Sequence, residues 1–231
     1  MPTLLWVRGR HMQAKNLEQL VIGDPGTERM GSLTMAAMLV LTNPDVTALG
    51  FGTGASSTEG GTIESVWMRA RLQDAVESGE FRRFSYVGRL LKDATRRERL
   101  ESLLLSATID TRSQNTAGES DAILDAATKA GAGMILDVTC GSHAARCANS
   151  VAELRRRNHM SPVVWSVVPD DMDFGGLTTV FEEPHRGDDP IDGWPKRYRP
   201  NRLFSRFFRV SAANRPRVVE EVDEMFTRYG V

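Results

Sequence analysis

Short apolar runs that end in Gly, Ser, Thr or Asn, each followed by a stretch of helical period, recur along the first 170 residues. This alternation predicts strand-loop-helix units wound around a parallel sheet. The candidate strands are Leu4–Arg8, Val46–Phe51, Leu104–Asp110, Met134–Thr139 and Val163–Val168. Met134-Ile-Leu-Asp-Val-Thr139 is nearly continuous in apolar character, as suits a strand covered on both faces. The helix predicted after Gly61 puts Ile63, Val66, Trp67 and Ala70 on one stripe, and the helix after Thr116 does the same with Ile123, Leu124, Ala127 and Ala130. Residues 82–103, with Arg82, Arg83, Arg89, Arg96, Arg97 and Arg99, read as additional helix whose basic side is solvated.

Beyond Pro169 the pattern changes. Glu182, Glu183, Asp188, Asp189 and Asp192 form an acidic stretch, and a basic segment from Lys196 to Arg217 follows with aromatic residues interleaved. A final helix carries Val218, Val219, Val222, Met225 and Phe226 on its apolar side. The expectation is one domain over residues 1–231, with a core over about 1–170 and a C-terminal cover over about 171–231.

Bulk properties narrow the partners. With 41% hydrophobic and 26% charged residues the chain falls in the globular range. A net charge of −1 supplies no global field that would draw it to nucleic acid or an acidic membrane. The apolar run at Leu4–Val7 is broken by Arg8 and Arg10, too short for the core of a signal peptide, and no other segment reaches membrane-spanning length. Two cysteines, Cys140 and Cys147, make no disulfide framework, and about two turns of helix between them keep them as free thiols. The expected location is the cytoplasm. Zinc is not expected, because no Cys-x-x-Cys or His-x-x-x-His spacing occurs, and no metal ligand is assigned. Asp170, Asp171 and Asp173 read as a solvated loop.

Three polar loops fall where open parallel sheets bind ligands, between the end of a strand and the start of a helix. The first is Gly52-Thr-Gly-Ala-Ser-Ser-Thr-Glu-Gly-Gly61, leading to Glu64. Its glycines permit close backbone approach, and the hydroxyls of Thr53, Ser56 and Ser57 suit phosphate or carboxylate oxygens. It has neither the Walker nor the dinucleotide spacing. The second, Asp110-Thr-Arg-Ser-Gln-Asn-Thr116, places Thr116 and Glu119 at capping-box spacing and leaves Arg112, Ser113 and Asn115 as a polar cluster. The third, Thr139-Cys-Gly-Ser-His-Ala-Ala-Arg146, brings His143 and Arg146 three residues apart at a helix start. There a histidine serves as acid or base and an arginine grips an anion with two parallel hydrogen bonds. Cys140 reads as a small buried hydrophobe before a nucleophile.

These motifs, Gly54-Ala-Ser-Ser with Glu64-Ser-Val-Trp-Met68, Ser113-Gln-Asn-Thr116, and Val138-Thr-Cys-Gly-Ser-His-Ala-Ala-Arg146, agree in order and spacing over roughly residues 45–170 with the YdcF-like family, which includes the SanA- and ElyC-type envelope proteins. The chain resembles that family, with departures at Glu119, which falls one position late, and at Cys140 and Cys147, where the family commonly has Ser and Ala. The envelope members carry a membrane segment not found here, so an envelope role does not follow. The resemblance implies a Rossmann-like domain and a nucleotide or S-adenosylmethionine as ligand, and with the pattern above the expected fold is α/β, a Rossmann-like three-layer α/β/α arrangement with a mostly parallel sheet and a C-terminal helical extension.

Two classes of function follow. In the first, the chain is a small-molecule enzyme holding an anionic, nucleotide-like ligand across the three loops, with His143 as general acid or base. Gly52, Thr53, Gly54, Ser56, Ser57, Glu64, Arg112, Ser113, Asn115, Thr116, Thr139, Ser142 and Arg146 then form the binding surface. In the second, the same loops hold the ligand and nothing is turned over. The basic and aromatic residues of the Lys196–Arg217 segment have the composition of a single-strand nucleic-acid surface. However, Arg202, Arg206 and Arg209 lie at helical spacing, as on a solvated face, so nucleic acid is not the expected partner. A homo-oligomer is compatible with either class.

Overall fold

The computed structural model describes residues 1–9, 17–54, 57–58, 60–139, 147, 150 and 163–167, the last stretch as backbone. The acidic stretch, the Lys196–Arg217 segment and the final helix predicted at the C-terminus lie outside the described residues, as do Asp170, Asp171 and Asp173.

Among the described residues five parallel strands form one sheet: β1 (Thr3–Val7), β4 (Val46–Phe51), β5 (Thr108–Ile109), β6 (Met134–Val138) and β7 (Val163–Val167), in the spatial order β5-β4-β1-β6-β7. A two-stranded antiparallel ribbon of β2 (Gly23–Asp24) and β3 (Arg29–Met30) stands apart from it. The α-helices with described bounds are α1 (Leu17–Val21), α2 (Ser32–Thr42), α3 (Glu64–Glu77), α4 (Ser85–Leu90), α5 (Ala94–Leu105) and α6 (Thr116–Lys129).

The chain winds outward from β1 to β4 to β5, then returns across the sheet to β6. Because parallel crossovers are right-handed, this reversal moves the connecting helix to the opposite face. The packing agrees. Side chains alternate across a strand, so Leu5 and Val7 face one way and Leu4 and Trp6 the other. Leu5 and Val7 join Leu136, Val138 and Phe51 in a large apolar cluster with α2, α3, α4 and α5, while Leu4, Trp6 and Ile135 form a smaller one with Ile123, Leu124, Ala126 and Ala127 of α6.

The predicted strands agree with these bounds to within one residue at each end except at Leu104–Asp110, where α5 continues through Leu105 and only Thr108–Ile109 pair. Leu104 is buried as a helical residue in the larger cluster, so the apolar run belongs to a helix end. The Gly61 stripe is corrected in part: Trp67 packs against the larger cluster and Ile63 is partly buried, as expected. α3 buries Ser65, Met68, Leu72, Ala75 and Val76, whereas Val66 and Ala70 are exposed. For α6 the expected Ile123, Leu124 and Ala127 are buried, and Ala130 is exposed beyond its end.

Most arginines of residues 82–103 are solvated, but Arg99 is not. Its guanidinium donates to the carbonyls of Val40, Asn43 and Val46, at the end of α2 and the start of β4. Val40 lies in the last turn of α2, where carbonyls lack partners within the helix, and a cation is well placed there. Burial holds the Arg99 guanidinium below its ordinary pKa. Among the described residues no helix is long and apolar enough to cross a membrane.

Candidate functional site

Because all five strands run parallel, their carboxyl ends share one edge, and the first two polar loops, with Thr139 of the third, stand on it. β4 ends directly in Gly52-Thr-Gly54 and β5 in Asp110. Asp110 Oδ1 accepts the backbone N–H groups of Arg112 at 3.0 Å and Ser113 at 3.1 Å, which curls the second loop back on itself. The first loop is tied to it. Thr53 Oγ1 donates to the Ser113 carbonyl at 2.7 Å, and the Gly54 N–H donates to the same oxygen at 3.0 Å. Gln114 Nε2 donates to the Gly54 carbonyl at 3.2 Å. A β-carbon at Gly54 would overlap the Thr111 carbonyl, so glycine is required for this approach. The start of α3 joins through Ser65, whose hydroxyl donates to the Asp110 carbonyl at 2.7 Å.

The structure thus brings Thr53, Gly54, Ser113 and the α3 start together. Gly52, Thr53, Glu64, Thr116 and Thr139 are buried, Gly54, Ser113 and Asn115 are partly buried, and Ser57 and Arg112 are exposed. Ser56, Ser142, His143 and Arg146 lie outside the described residues, as does Cys140. Cys147 is buried, with its Sγ 3.9 Å from Thr139 Oγ1.

The expected capping box is corrected by one residue. Asn115, not Thr116, caps α6, with its Oδ1 accepting the Gly118 N–H at 2.8 Å. Glu119 is therefore turned away from the helix end and into the protein, where only 4% of it is exposed. Its Oε1 accepts Trp6 Nε1 and the Gly9 N–H, each at 3.2 Å. A β-carbon at Gly52 would overlap that same oxygen, so glycine at the end of β4 makes room for this carboxyl.

Beside Glu119 lies an ion pair that the sequence reading did not single out. Arg8, fully buried at the end of β1, donates from Nε to Asp137 Oδ1 at 2.9 Å and from Nη2 to Asp137 Oδ2 at 3.0 Å, a two-pronged match across β1 and β6. Nη2 also donates to Ser120 Oγ at 3.1 Å, and Nη1 lies 3.5 Å from both the Thr116 carbonyl and Glu119 Oε2. Burial opposes the charge on Arg8. Asp137, with Cys147 and Glu119, outweighs that and holds the guanidinium above its ordinary pKa. Burial pushes the Glu119 carboxyl up, and Asp137 adds to this. Arg8, Trp6 and Gly9 pull it the other way without prevailing, because the guanidinium is engaged closely by Asp137 and only at 3.5 Å by Glu119. The signal for this cluster was a charge inside an apolar strand: Arg8 after Trp6-Val7, and Asp137 within Met134–Val138. Such charges must find partners when buried.

No protein-family model, curated protein or solved structure matches the chain.

Proposed function

We propose that the chain is a Rossmann-like, three-layer α/β/α protein of the YdcF-like kind. In this reading it is a cytoplasmic small-molecule enzyme that binds a nucleotide-like or other anionic ligand at the carboxyl edge of its sheet. The observation that carries the reading is the strand order β5-β4-β1-β6-β7 with its change of winding direction between β1 and β6. In open parallel sheets that reversal splays the loops apart and opens a crevice beyond the strand ends. The rigid pairing of the Gly52–Gly54 and Asp110–Thr116 loops beside it supports a preorganised surface. A nucleotide or S-adenosylmethionine is the ligand class that the motif resemblance favours. His143 is the acid or base of the proposed reaction and Arg146 the clamp on the anion.

In a second reading the same loops form a module that binds this ligand without turning it over. Native mass spectrometry of the purified chain tests the first step, with a retained nucleotide-like mass as the expected result. If nothing is retained and no nucleotide or S-adenosylmethionine raises the melting temperature, the ligand reading is wrong. If the bound molecule keeps its mass through incubation, and His143→Ala binds it unchanged, the module replaces the enzyme.

A further inference from the structure

Among the described residues two buried side-chain oxygens have no hydrogen-bond partner, Ser32 Oγ and Asp110 Oδ2. A serine hydroxyl in that state forgoes a neutral bond. A carboxylate oxygen forgoes a charge-assisted one, the more unfavourable omission. Asp110 is 8% exposed, and all its other polar atoms are engaged: N–H to the Phe51 carbonyl at 2.8 Å, carbonyl to Ser65 Oγ, and Oδ1 to the two backbone N–H groups that close the loop. Those bonds fix the carboxylate plane and leave Oδ2 as the one polar atom of Asp110 without a hydrogen-bond partner. The exposed guanidinium of Arg112 stands two residues on in the same loop.

We infer that Asp110 Oδ2 receives a hydroxyl or ammonium group of a ligand whose neighbouring anion is met by Arg112. This rests on the proposed reading of the carboxyl edge as a ligand site and narrows it to molecules that carry a hydrogen-bond donor beside an anion. The ribose hydroxyls of a nucleoside diphosphate and the ammonium of S-adenosylmethionine are two sources of that chemistry. A bare polyphosphate lacks it.

The test is isothermal titration of the full chain and of Asp110→Asn with ADP, S-adenosylmethionine and pyrophosphate. Asparagine keeps Oδ1 and the loop it closes while removing the charge and acceptor at Oδ2. A second measurement leaves the protein unaltered, using 2′,3′-dideoxy-ADP, which lacks the ribose hydroxyls, and deamino-S-adenosylmethionine, in which hydrogen replaces the amino group while the carboxylate and sulfonium remain. The expected result is that ADP or S-adenosylmethionine binds the variant about tenfold to a hundredfold more weakly, with pyrophosphate unchanged. The trimmed analogue of the same ligand loses a similar factor on the parent and nothing further on the variant. Equal binding by the variant and of the trimmed analogue means that water alone meets Oδ2, and overturns the inference while the site stands. A parallel loss of pyrophosphate makes Asp110 a support of the loop and also overturns it. If the parent binds pyrophosphate but neither donor-bearing ligand, the inference fails and the anion site survives; if it binds none of the three, both fail.

Discussion

The two faces of the sheet solve the problem of burial differently. Toward α2–α5, Leu5, Val7, Leu136 and Val138 meet an apolar cluster that extends to Phe81 and Leu104, and charge reaches this side at its rims, where Arg99 holds the end of α2 and Glu64 is buried at the start of α3. Toward α6 the same strands begin with Leu4, Trp6 and Ile135 and turn ionic at their carboxyl ends, with Arg8, Asp137, Glu119 and Ser120 sealed inside. The first face gains stability from area removed from water. The second gives up some of that gain for a fixed geometry where β1 and β6 part, directly beneath the candidate ligand edge. Scaffold and site are therefore separable side by side in one strand, because Leu136 and Asp137 are neighbours that point to opposite faces.

The largest effects come from that pair. Asp137→Ala leaves the Arg8 guanidinium buried without its close partner and is expected to destabilise the fold by about 3–5 kcal/mol. Leu136→Ala leaves a cavity and is expected to cost about 2–5 kcal/mol. The midpoints of urea unfolding measure both. What distinguishes them is rescue: Arg8→Met with Asp137→Leu removes both charges and is expected to regain most of the loss, as apolar replacements of buried pairs do. A loss below about 1 kcal/mol for Asp137→Ala would erase the contrast between the faces.

A smaller effect concerns protons. The Glu119 carboxyl has a raised pKa in the folded chain, so the folded state holds this proton more tightly than the unfolded one. The associated stability is complete below the ordinary glutamate value and is lost as pH rises from there through the folded value. Glu119→Gln removes this dependence. Urea midpoints across a pH series should show the parent losing stability relative to the variant with rising pH, by at most about 1.4 kcal/mol per pH unit. A difference that stays flat, or grows in the parent's favour, would show that Glu119 is ionised inside the cluster.

Much of the scaffold was legible because its signal is local. The run Met134–Thr139 announced a buried central strand, and Val46–Phe51 appeared with the observed bounds. The edge strand was misplaced since a short apolar run such as Leu103-Leu104-Leu105 fits a helix end as well as a strand. In α3 two stripes of helical period coexist, and only the packing against Phe81 and Leu104 selects Met68 and Leu72 over Val66 and Ala70. The ionic cluster was hardest to see. Arg8 is 129 residues from Asp137 and 111 from Glu119, and nothing in local pattern pairs residues across such distances. Of the edge itself, the loop positions were readable, whereas the service of Asp110 to its own loop needed the backbone path.

The smallest effect decides how α6 is presented to the edge. Thr116 and Glu119 have capping-box spacing, yet Asn115 Oδ1 takes the Gly118 N–H and Glu119 is drawn inward by Trp6, Gly9 and Arg8. Two uses of one carboxyl competed, and the buried one prevailed because Trp6 and Gly9 would otherwise be left with unpaired donors away from water. It follows that the cap depends on Asn115 alone among these three side chains. Asn115→Ala is expected to cost about 0.5–2 kcal/mol in urea unfolding, and Asn115→Asp to remain near the parent, since aspartate caps as well and is favoured at a helix N-terminus. The order of these two variants carries the test. Should Asn115→Asp be as unstable as Asn115→Ala, the Asn115 amide nitrogen, and not the cap, would be what holds the start of α6.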